Sequence, residues 1–250
     1  MLTSIPQPVI FAHRGASAHA PENTLAAFEL ALGQGADAIE LDVKLSADGH
    51  VVVIHDATVA RTTGSRGKVK EMTLAELRAL NAGSFFSSKF STEKVPMLEE
   101  VFEAVGKRTL INVELTNYNS PRDHLVESVC MLVKKFNLQE HVLFSSFYAF
   151  NLSKAQSYLP SVPRGLLALP GLAGAWARSF GFSFGKYTAL HPNLVNTTRE
   201  QIQRVHRLRS RVYVWTVNAE ADMRRLFGWG VDGIFTDDPQ LALRVRGEKK

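Results

Sequence analysis

The chain has 250 residues, of which 45% are hydrophobic and 21% are charged, and its net charge is +5. This profile is typical of one globular domain with a substantial core. No stretch approaches the roughly 18 apolar residues of a membrane span, and the single cysteine, Cys130, excludes an internal disulfide. We predict one domain over residues 1–250 in a reducing, cytoplasmic compartment, with Cys130 as a core thiol.

Short apolar runs alternate with segments of helical periodicity along the whole chain, which is typical of parallel strands joined by crossover helices. The first strand, VIFAHRG, precedes a helix for which Asn23 or Thr24 is a suitable N-cap. The next two strands, AIELDVKLS and VVVIHD, flank a turn at 47–49 and predict a hairpin. Polar residues then dominate from Ala57 to Thr73.

The remainder of the chain continues the alternation. In order, the predicted elements are the helices TLAELRALNAG and LEEVFEAVG, the strand TLINVELT, the helix DHLVESVCMLVKKF, the strand HVLFSSF, the helix LSKAQSYL, the strand RGLLAL, the glycine- and aromatic-rich segment 170–186, the strand TALHPN, the helix TTREQIQRVHRLR, the strand RVYVWTV, the helix EADMRRLFGWG, the strand GIFTDD and the helix PQLALRV. About eight strands fit a (β/α)8 barrel, although alternation alone also fits an open doubly wound sheet. Charged residues at the C-terminal ends of several strands favour the barrel.

Three acids are predicted to share the interior of this barrel. Glu40 and Asp42 alternate with apolar residues in AIELDVKLS, and Glu114 does the same in TLINVELT, so all three point inward. Buried acids must be protonated, paired with basic groups or bound to a cation. Oxygen ligands favour Mg²⁺ or Ca²⁺ over zinc. The alternative is that the acids form internal salt bridges with Lys44 and Arg14.

Two histidines lie at the same rim as the acids. His13 ends the first strand and His55 follows VVVI in VVVIHD. Phosphodiester cleavage needs a base for the attacking oxygen and an acid for the leaving alkoxide, and histidine titrates in the useful range for both. A divalent ion and Arg14 would hold the phosphate. Imidazole ligation of a metal is the alternative role for the pair.

Seven motifs follow one another in a characteristic order along the chain. They are His13-Arg14-Gly15-Ala16, Pro21-Glu22-Asn23-Thr24, Glu40-Leu41-Asp42, His55-Asp56 with Arg61-Thr62, Asn112-Val113-Glu114-Leu115, Val214-Trp215-Thr216-Val217-Asn218 and Gly233-Ile234-Phe235-Thr236-Asp237. With them the chain resembles the glycerophosphodiester phosphodiesterase family over nearly its whole length. The resemblance implies a TIM-type barrel with a short insertion after the second strand, at about 57–97. It also implies hydrolysis of glycerophosphodiesters, such as glycerophosphocholine, to glycerol 3-phosphate and an alcohol.

The resemblance also implies site roles. Glu40, Asp42 and Glu114 match the family's metal ligands, His13 and His55 match its acid and base pair, and Arg14 matches its phosphate contact. The resemblance does not fix which histidine is the acid and which is the base; our hypothesis is that His13 is the base on the glycerol side and His55 the acid at the departing alcohol.

One position departs from the family pattern. The family commonly has a lysine two residues after its third acid, and this chain has Thr116 there. Lys44 is a candidate replacement, but the alternation places it at a different depth. The departure predicts weaker catalysis or a shifted substrate preference.

Other polar and aromatic residues are candidates for the site. Trp215 and Phe147 end strands, and each is either a core aromatic or a wall for the glycerol. His19 and His191 lie near the expected mouth without an assigned role. We expect Asn23 to cap its helix and brace the site.

Two other functions fit parts of the chain. Lysophospholipase D-type cleavage of lysophospholipids needs an apolar entrance, which the segment Leu166–Phe184 with its aromatic residues could supply. A catalytically silent phosphodiester-binding protein is suggested only by Thr116, while both histidines and all three acids argue against it.

The expected partner is a small-molecule phosphodiester. The basic end, with Arg244, Arg246, Lys249 and Lys250, raises nucleic acid or an anionic membrane surface as partners. Because the basic residues are scattered and not interleaved with aromatics, we predict a solvated surface, no nucleic acid and no stable membrane insertion. The sequence gives no indication of oligomeric state.

Overall fold

Eight parallel strands close into a barrel in the computed structural model, which describes residues 5–247. The strands are β1 (Val9–Ala12), β2 (Ala38–Leu45), β3 (Val51–Val53), β4 (Leu110–Leu115), β5 (Val142–Ser146), β6 (Arg164–Ala168), β7 (Ala189–Pro192), β8 (Arg211–Val214) and β9 (Gly233–Thr236). All pair in parallel except β3, which is antiparallel to β2. The sheet closes because β1 pairs with both β2 and β9. The barrel is therefore confirmed, and the open doubly wound sheet is excluded.

Helices pack around the outside of the barrel. They are α1 (Leu25–Gly33), α2 (Ala60–Thr63), α3 (Leu74–Ala79), α4 (Leu98–Val105), α5 (Leu125–Lys135), α6 (Ala149–Tyr158), α7 (Phe180–Gly185), α8 (Arg199–Arg207), α9 (Glu220–Gly228) and α10 (Pro239–Gly247). Helix α1 begins after Thr24, whose hydroxyl accepts from the backbone N–H of Ala27. Thr24 is thus the N-cap, and the alternative that Asn23 caps this helix is wrong.

Alternation along the strands divides the buried side chains between two layers. Ile39, Leu41 and Val43 of β2 face the helices in the larger hydrophobic cluster. Inside the barrel, the ring of Phe11 stacks on Phe235 at a centroid distance of 4.6 Å and tilts against Tyr213 at 4.9 Å. These rings fill the lower part of the barrel interior, so the space left inside the barrel lies toward its C-terminal end.

Residues 57–97 form a separate layer over one side of the mouth. This insertion contains α2 and α3, and it shares a small hydrophobic cluster with β3: Val52, Ile54, Val59, Val69, Leu77, Ala82 and Val95. The predicted hairpin is confirmed, but its second strand ends at Val53 rather than continuing to Asp56. His55 therefore lies on the loop that leads into the insertion and not on a strand.

The structure also tests the predictions for one helix, for segment 170–186 and for Cys130. Helix α3 ends before Leu80, which adopts an extended conformation, so it is shorter than predicted. Segment 170–186 contains α7 and a 3-10 turn. Burial raises the pKa of the Cys130 thiol to about 12, in agreement with a core role.

The described residues bear on two further predictions, one about membrane-spanning segments and one about the basic end of the chain. None of the helices within 5–247 is long and apolar enough to cross a membrane. At the basic end, Arg246 pairs with Asp37, whereas Lys249 and Lys250 lie outside the described residues.

Candidate active site

Three carboxylates meet at the C-terminal end of the barrel. Strand β2 supplies Glu40 and Asp42, and β4 supplies Glu114, which is directly opposite Asp42 in the parallel register. One oxygen from each lies within 4.8 Å of the others. The structure therefore brings the acids together as the alternation of the two strands predicts.

Burial and mutual repulsion shift these acids unequally. Burial, followed by the charges of Asp42 and Glu114, raises the pKa of Glu40 well above its ordinary value. Burial and Asp42 raise the pKa of Glu114 to about 8. Burial acts in the same direction on Asp42, but the positive charges of Arg14 and His55 outweigh it, so the pKa of Asp42 is lowered. An added cation would offset this repulsion, so the cluster has the chemistry of a metal site.

The turn after β1 holds two of the acids in position. Arg14 has a left-handed backbone, with φ of 57°, and its backbone N–H donates to Oε2 of Glu40 at 2.9 Å. The Nε atom of Arg14 lies 3.4 Å from Oδ2 of Asp42. The side-chain amide of Asn23 donates to the same oxygen at 3.0 Å. Asn23 thus braces Asp42, as expected from the sequence, although it does not cap helix α1.

His13 is supported by the far end of the chain. Its Nδ1 makes a 2.7 Å hydrogen bond with Oδ1 of Asp237, which directly follows β9. Ser17 and the amide of Asn218 also donate to the Asp237 carboxylate, at 3.1 and 2.5 Å. Burial acts to raise the pKa of Asp237, but these hydrogen bonds, led by that of His13, lower it. With Nδ1 engaged, Nε2 is the His13 nitrogen left for the pocket.

His55 is supported by its own neighbour and by the insertion. Its Nδ1 makes a 2.7 Å hydrogen bond with Oδ1 of Asp56, and Nε of Arg61 donates to Oδ2 of that carboxylate at 2.8 Å. The hydrogen bond from Arg61 is the largest cause of the lowered pKa of Asp56. Arg61 also donates to Glu22 at 2.5 Å, and Arg14 donates to Glu22 at 2.9 Å. A chain of charges therefore joins His55 to the acid cluster.

One pocket of about 70 Å³ is lined by both histidines and by the aromatic rings of Phe147, Trp215 and Phe235. The rings of Phe147 and Trp215 meet edge to face at a centroid distance of 5.6 Å, and both line the pocket. Trp215 also packs on the inner hydrophobic cluster, and its indole N–H donates to the carbonyl of His191. Each ring thus contributes to the wall, and Trp215 contributes to the core as well.

The floor of this pocket is polar. The imidazole of His191 is fully buried, and neither ring nitrogen has a hydrogen-bond partner within the described residues. Burial lowers the pKa of His191 to about 3, so it is neutral at physiological pH. Oδ1 of Asn112 is likewise buried without a partner in the described chain. Substrate hydroxyls are suitable partners for such atoms.

The residues that position the histidines were not predicted. The available signal was their place within the seven sequence motifs, which by itself gives no role to Asp237, Asn218, Glu22 and Arg61. Tyr118 stands in none of these motifs, and its hydroxyl donates to Oε1 of Glu114 at 2.9 Å.

Comparison with known proteins agrees with this geometry. The model of the glycerophosphoryl diester phosphodiesterase family matches residues 13–241. The chain belongs to this family. It is accordingly an enzyme, a phosphodiesterase that hydrolyses glycerophosphodiesters.

Similarity to individual phosphodiesterases extends over nearly the whole chain. A glycerophosphodiester phosphodiesterase of Caldanaerobacter subterraneus subsp. tengcongensis is 40% identical, over 95% of this chain and 97% of that protein. Another, from Bacillus subtilis, is 33% identical over 94% of this chain and 85% of that protein.

Solved structures give the same result. An Oleispira antarctica phosphodiesterase in complex with the product sn-glycerol-3-phosphate has a TM-score of 0.90 at 31% identity, covering 98% of each chain. A glycerophosphodiester phosphodiesterase from Agrobacterium tumefaciens has a TM-score of 0.81 at 33% identity, covering 94% of this chain and 99% of that one.

Thr116 occupies the position where the family commonly has a lysine, and the side chain of Lys44 lies beside it. Nζ of Lys44 donates to Oγ1 of Thr116 at 2.7 Å and to its carbonyl at 3.1 Å. The two residues follow Asp42 and Glu114 by two positions on paired strands, so the expected difference in depth is wrong. The internal salt bridges considered for the acids are formed only in part, since Arg14 reaches Asp42 while the Lys44 ammonium is bonded to Thr116.

Proposed function

We propose that this phosphodiesterase cleaves glycerophosphodiesters such as glycerophosphocholine to glycerol 3-phosphate and an alcohol, by metal-dependent acid and base catalysis with two histidines. The observation that carries the proposal is the arrangement of one pocket. Two carboxylate-backed imidazoles flank a cluster of three acids there. The product named for the Oleispira antarctica structure supports the choice of substrate.

The acids Glu40, Asp42 and Glu114 would hold one divalent cation. Carboxylate oxygens suit the hard ions Mg²⁺ and Ca²⁺, and the shared repulsion of the three groups favours a positive charge between them. When bound, such an ion supplies Lewis acidity toward a phosphoryl oxygen. Arg14 lines the same pocket and would bind the phosphate through its guanidinium.

The histidines would divide the proton transfers. Neutral His13, oriented by Asp237, would accept the proton of the attacking oxygen at Nε2. Protonated His55, oriented by Asp56, would donate its Nε2 proton to the departing alkoxide. Asp237 and Asp56 would orient the two imidazoles through these hydrogen bonds. Phe147 and Trp215 would form the wall beside the glycerol carbons.

Release of glycerol 3-phosphate from glycerophosphocholine by the purified protein tests the proposal. The assay is run with chelator, with Mg²⁺ or Ca²⁺ restored, and with His13→Ala as the control. We expect turnover that chelator abolishes, that one of the ions restores and that the variant lacks. Turnover that persists in chelator would reject the metal, and turnover that persists in His13→Ala would reject the assigned base.

A lysophospholipid is the second candidate substrate, and an exposed apolar segment after β6 favours it. Leu172, Phe184, Phe180 and Trp176 are 94%, 81%, 71% and 58% exposed. Such a segment could contact acyl chains. Choline release from glycerophosphocholine and from lysophosphatidylcholine, measured side by side, separates the candidates. Faster release from lysophosphatidylcholine would support the second.

A further inference from the structure

A second cavity, larger than the catalytic pocket, lies beside it. It encloses about 230 Å³, against about 70 Å³ for the catalytic pocket. Its walls come from the end of β2, from the insertion at 68–70 and from the loop at 116–123. The catalytic pocket is smaller than a whole glycerophosphodiester, so part of the substrate extends into neighbouring space, either into a cavity of about 440 Å³ that shares His13 and Arg14 with the pocket or toward the side of Lys44.

The inner wall of this cavity adjoins the acid cluster. Lys44 and Thr116 line it, and they follow Asp42 and Glu114 by two positions, Lys44 within β2 and Thr116 just past the end of β4. The hydrogen bond from Lys44 to Thr116 fixes the ammonium at this boundary.

The cavity also lies on the side of His55. Ala57, two residues after His55, lines the cavity, whereas Phe147 and Trp215 line the catalytic pocket only. His55 is the group proposed to protonate the departing alcohol. An alcohol that leaves on this side therefore enters the cavity.

The charge of the lining favours an anion. Lys44, Lys68 and Lys70 line the cavity with a single acid, Asp123. That carboxylate is already engaged within its own loop, because Asn117 donates to it at 2.7 Å. Lys68 is paired with a glutamate at 3.0 Å, whereas Lys70 has no ion-pair partner within residues 5–247. Lys70 is thus free of ion pairs among the described residues, and Lys44 keeps one N–H for a ligand after its two hydrogen bonds to Thr116.

The same lining disfavours a quaternary ammonium group. Choline-type cations are commonly held by the faces of aromatic rings. Among the described residues that line the cavity, none is aromatic. Amide and hydroxyl groups from Asn117, Asn119 and Ser120 supply the remaining polar contacts.

We propose that this lysine-lined cavity binds the departing alcohol and selects alcohols that carry a carboxylate or a second phosphate. The inference rests on the proposed function and deepens it. Lys44 would contact the scissile phosphate side of the alcohol, and Lys70 would pair with its distal anion.

Glycerophosphoserine and glycerophosphoethanolamine provide the test, because their alcohols differ by one carboxylate. The value of kcat/KM is measured for both with the full-length enzyme and its activating ion. We expect a preference of about 10-fold for glycerophosphoserine, as one charge-assisted contact provides. In Lys70→Glu that preference is expected to fall by about fivefold or more, the range of a partly exposed ion pair.

Lys107→Glu is the matched control. It makes the same charge change in the loop before β4, at the opposite end of the barrel, and should leave the preference as it is in the parent enzyme. Melting temperatures identify any variant that fails to fold, and Lys70→Met then replaces Lys70→Glu with the same expected direction.

The possible outcomes distinguish a failure of the cavity assignment from a failure of the proposed function. Equal kcat/KM for the two diesters, or a preference that Lys70→Glu and Lys70→Met both leave unchanged, would overturn the cavity assignment while the proposed function stands. Absence of turnover for both diesters and for glycerophosphocholine would overturn the proposed function and this inference together.

Discussion

The two histidines of the site are each backed by a carboxylate at 2.7 Å, but different parts of the molecule hold them. The partner of His13 lies 224 residues away in sequence, and the closure of β1 against β9 brings it there. The partner of His55 is the next residue, and Arg61 of the insertion fixes it. The side chain of His13 is 19% exposed and that of His55 is 41% exposed.

This difference separates the tasks of the two regions. The barrel builds the His13 side, where the glycerol is proposed to bind, and closure of the sheet leaves it little freedom. The insertion builds the His55 side, where the alcohol is proposed to depart, and it packs on β3 through a small hydrophobic cluster and reaches Glu22 through Arg61. Changes in head-group preference are therefore expected on the insertion side.

Removing each histidine should give the largest effects. We expect His13→Ala to lower kcat by about 1000-fold on every substrate, as loss of a general base does. His55→Ala should cost a similar factor with choline as the leaving group, but only about 10-fold with p-nitrophenol, which leaves without a proton. Steady-state kinetics on both leaving groups measures this. If the p-nitrophenyl substrate rescues His13→Ala instead, the roles are reversed.

The two backing carboxylates should differ in importance. Asp237→Asn is expected to lower kcat by about 100-fold, since it favours the wrong tautomer of a largely buried imidazole. Asp56→Asn should cost about 10-fold, because water can reach the more exposed His55. The measurement is kcat for the two variants under saturating substrate. A larger loss in Asp56→Asn would contradict the view that the barrel side is the more rigid.

Lys44 lies on the barrel wall between the two regions. Exchanging the lysine and the threonine between positions 44 and 116 tests its role. Lys44→Thr should lower kcat/KM by about 30-fold through loss of one charged hydrogen bond to substrate. Adding Thr116→Lys should restore part of that loss, because the two positions are neighbours on paired strands. Thr116→Val keeps the charge of Lys44 and serves as the control. No recovery in the double variant would show that the lysine positions are not equivalent.

The smallest effect concerns stability and the link between the regions. Burial acts to raise the pKa of Glu22, but Arg61 and Arg14 outweigh it, so its folded-state pKa lies below the ordinary value. Ionised Glu22 therefore stabilises the fold above its unfolded-state pKa of about 4.3, and the contribution is lost as pH falls through the lowered folded-state pKa.

Glu22→Gln should lower the free energy of unfolding by about 2 kcal/mol at pH 7. The difference from the parent protein should shrink as pH falls toward 3. Urea unfolding at several pH values measures it. A difference that stays constant down to pH 3 would show that the charge of Glu22 does not contribute.

Local sequence patterns were sufficient to predict much of the fold and of the site. Alternation in β2 and β4 follows from the backbone geometry of a strand, so it placed Glu40, Asp42 and Glu114 on one face without knowledge of the partner strands. The period of the helices likewise predicted α4, α5, α8 and α9.

What the sequence by itself determined was which side chains share a face and which motifs follow one another. The tertiary structure decided the closure of β1 on β9 and the pairing of His13 with Asp237. It also decided the contact between Lys44 and Thr116 and the bracing of Asp42 by Asn23. These depend on register between strands and on turns with left-handed residues, which hydrophobic periodicity does not encode. Contacts across strands arise only when the whole barrel closes, and the lysine-lined cavity beside Lys44 forms only when the insertion packs beside that barrel.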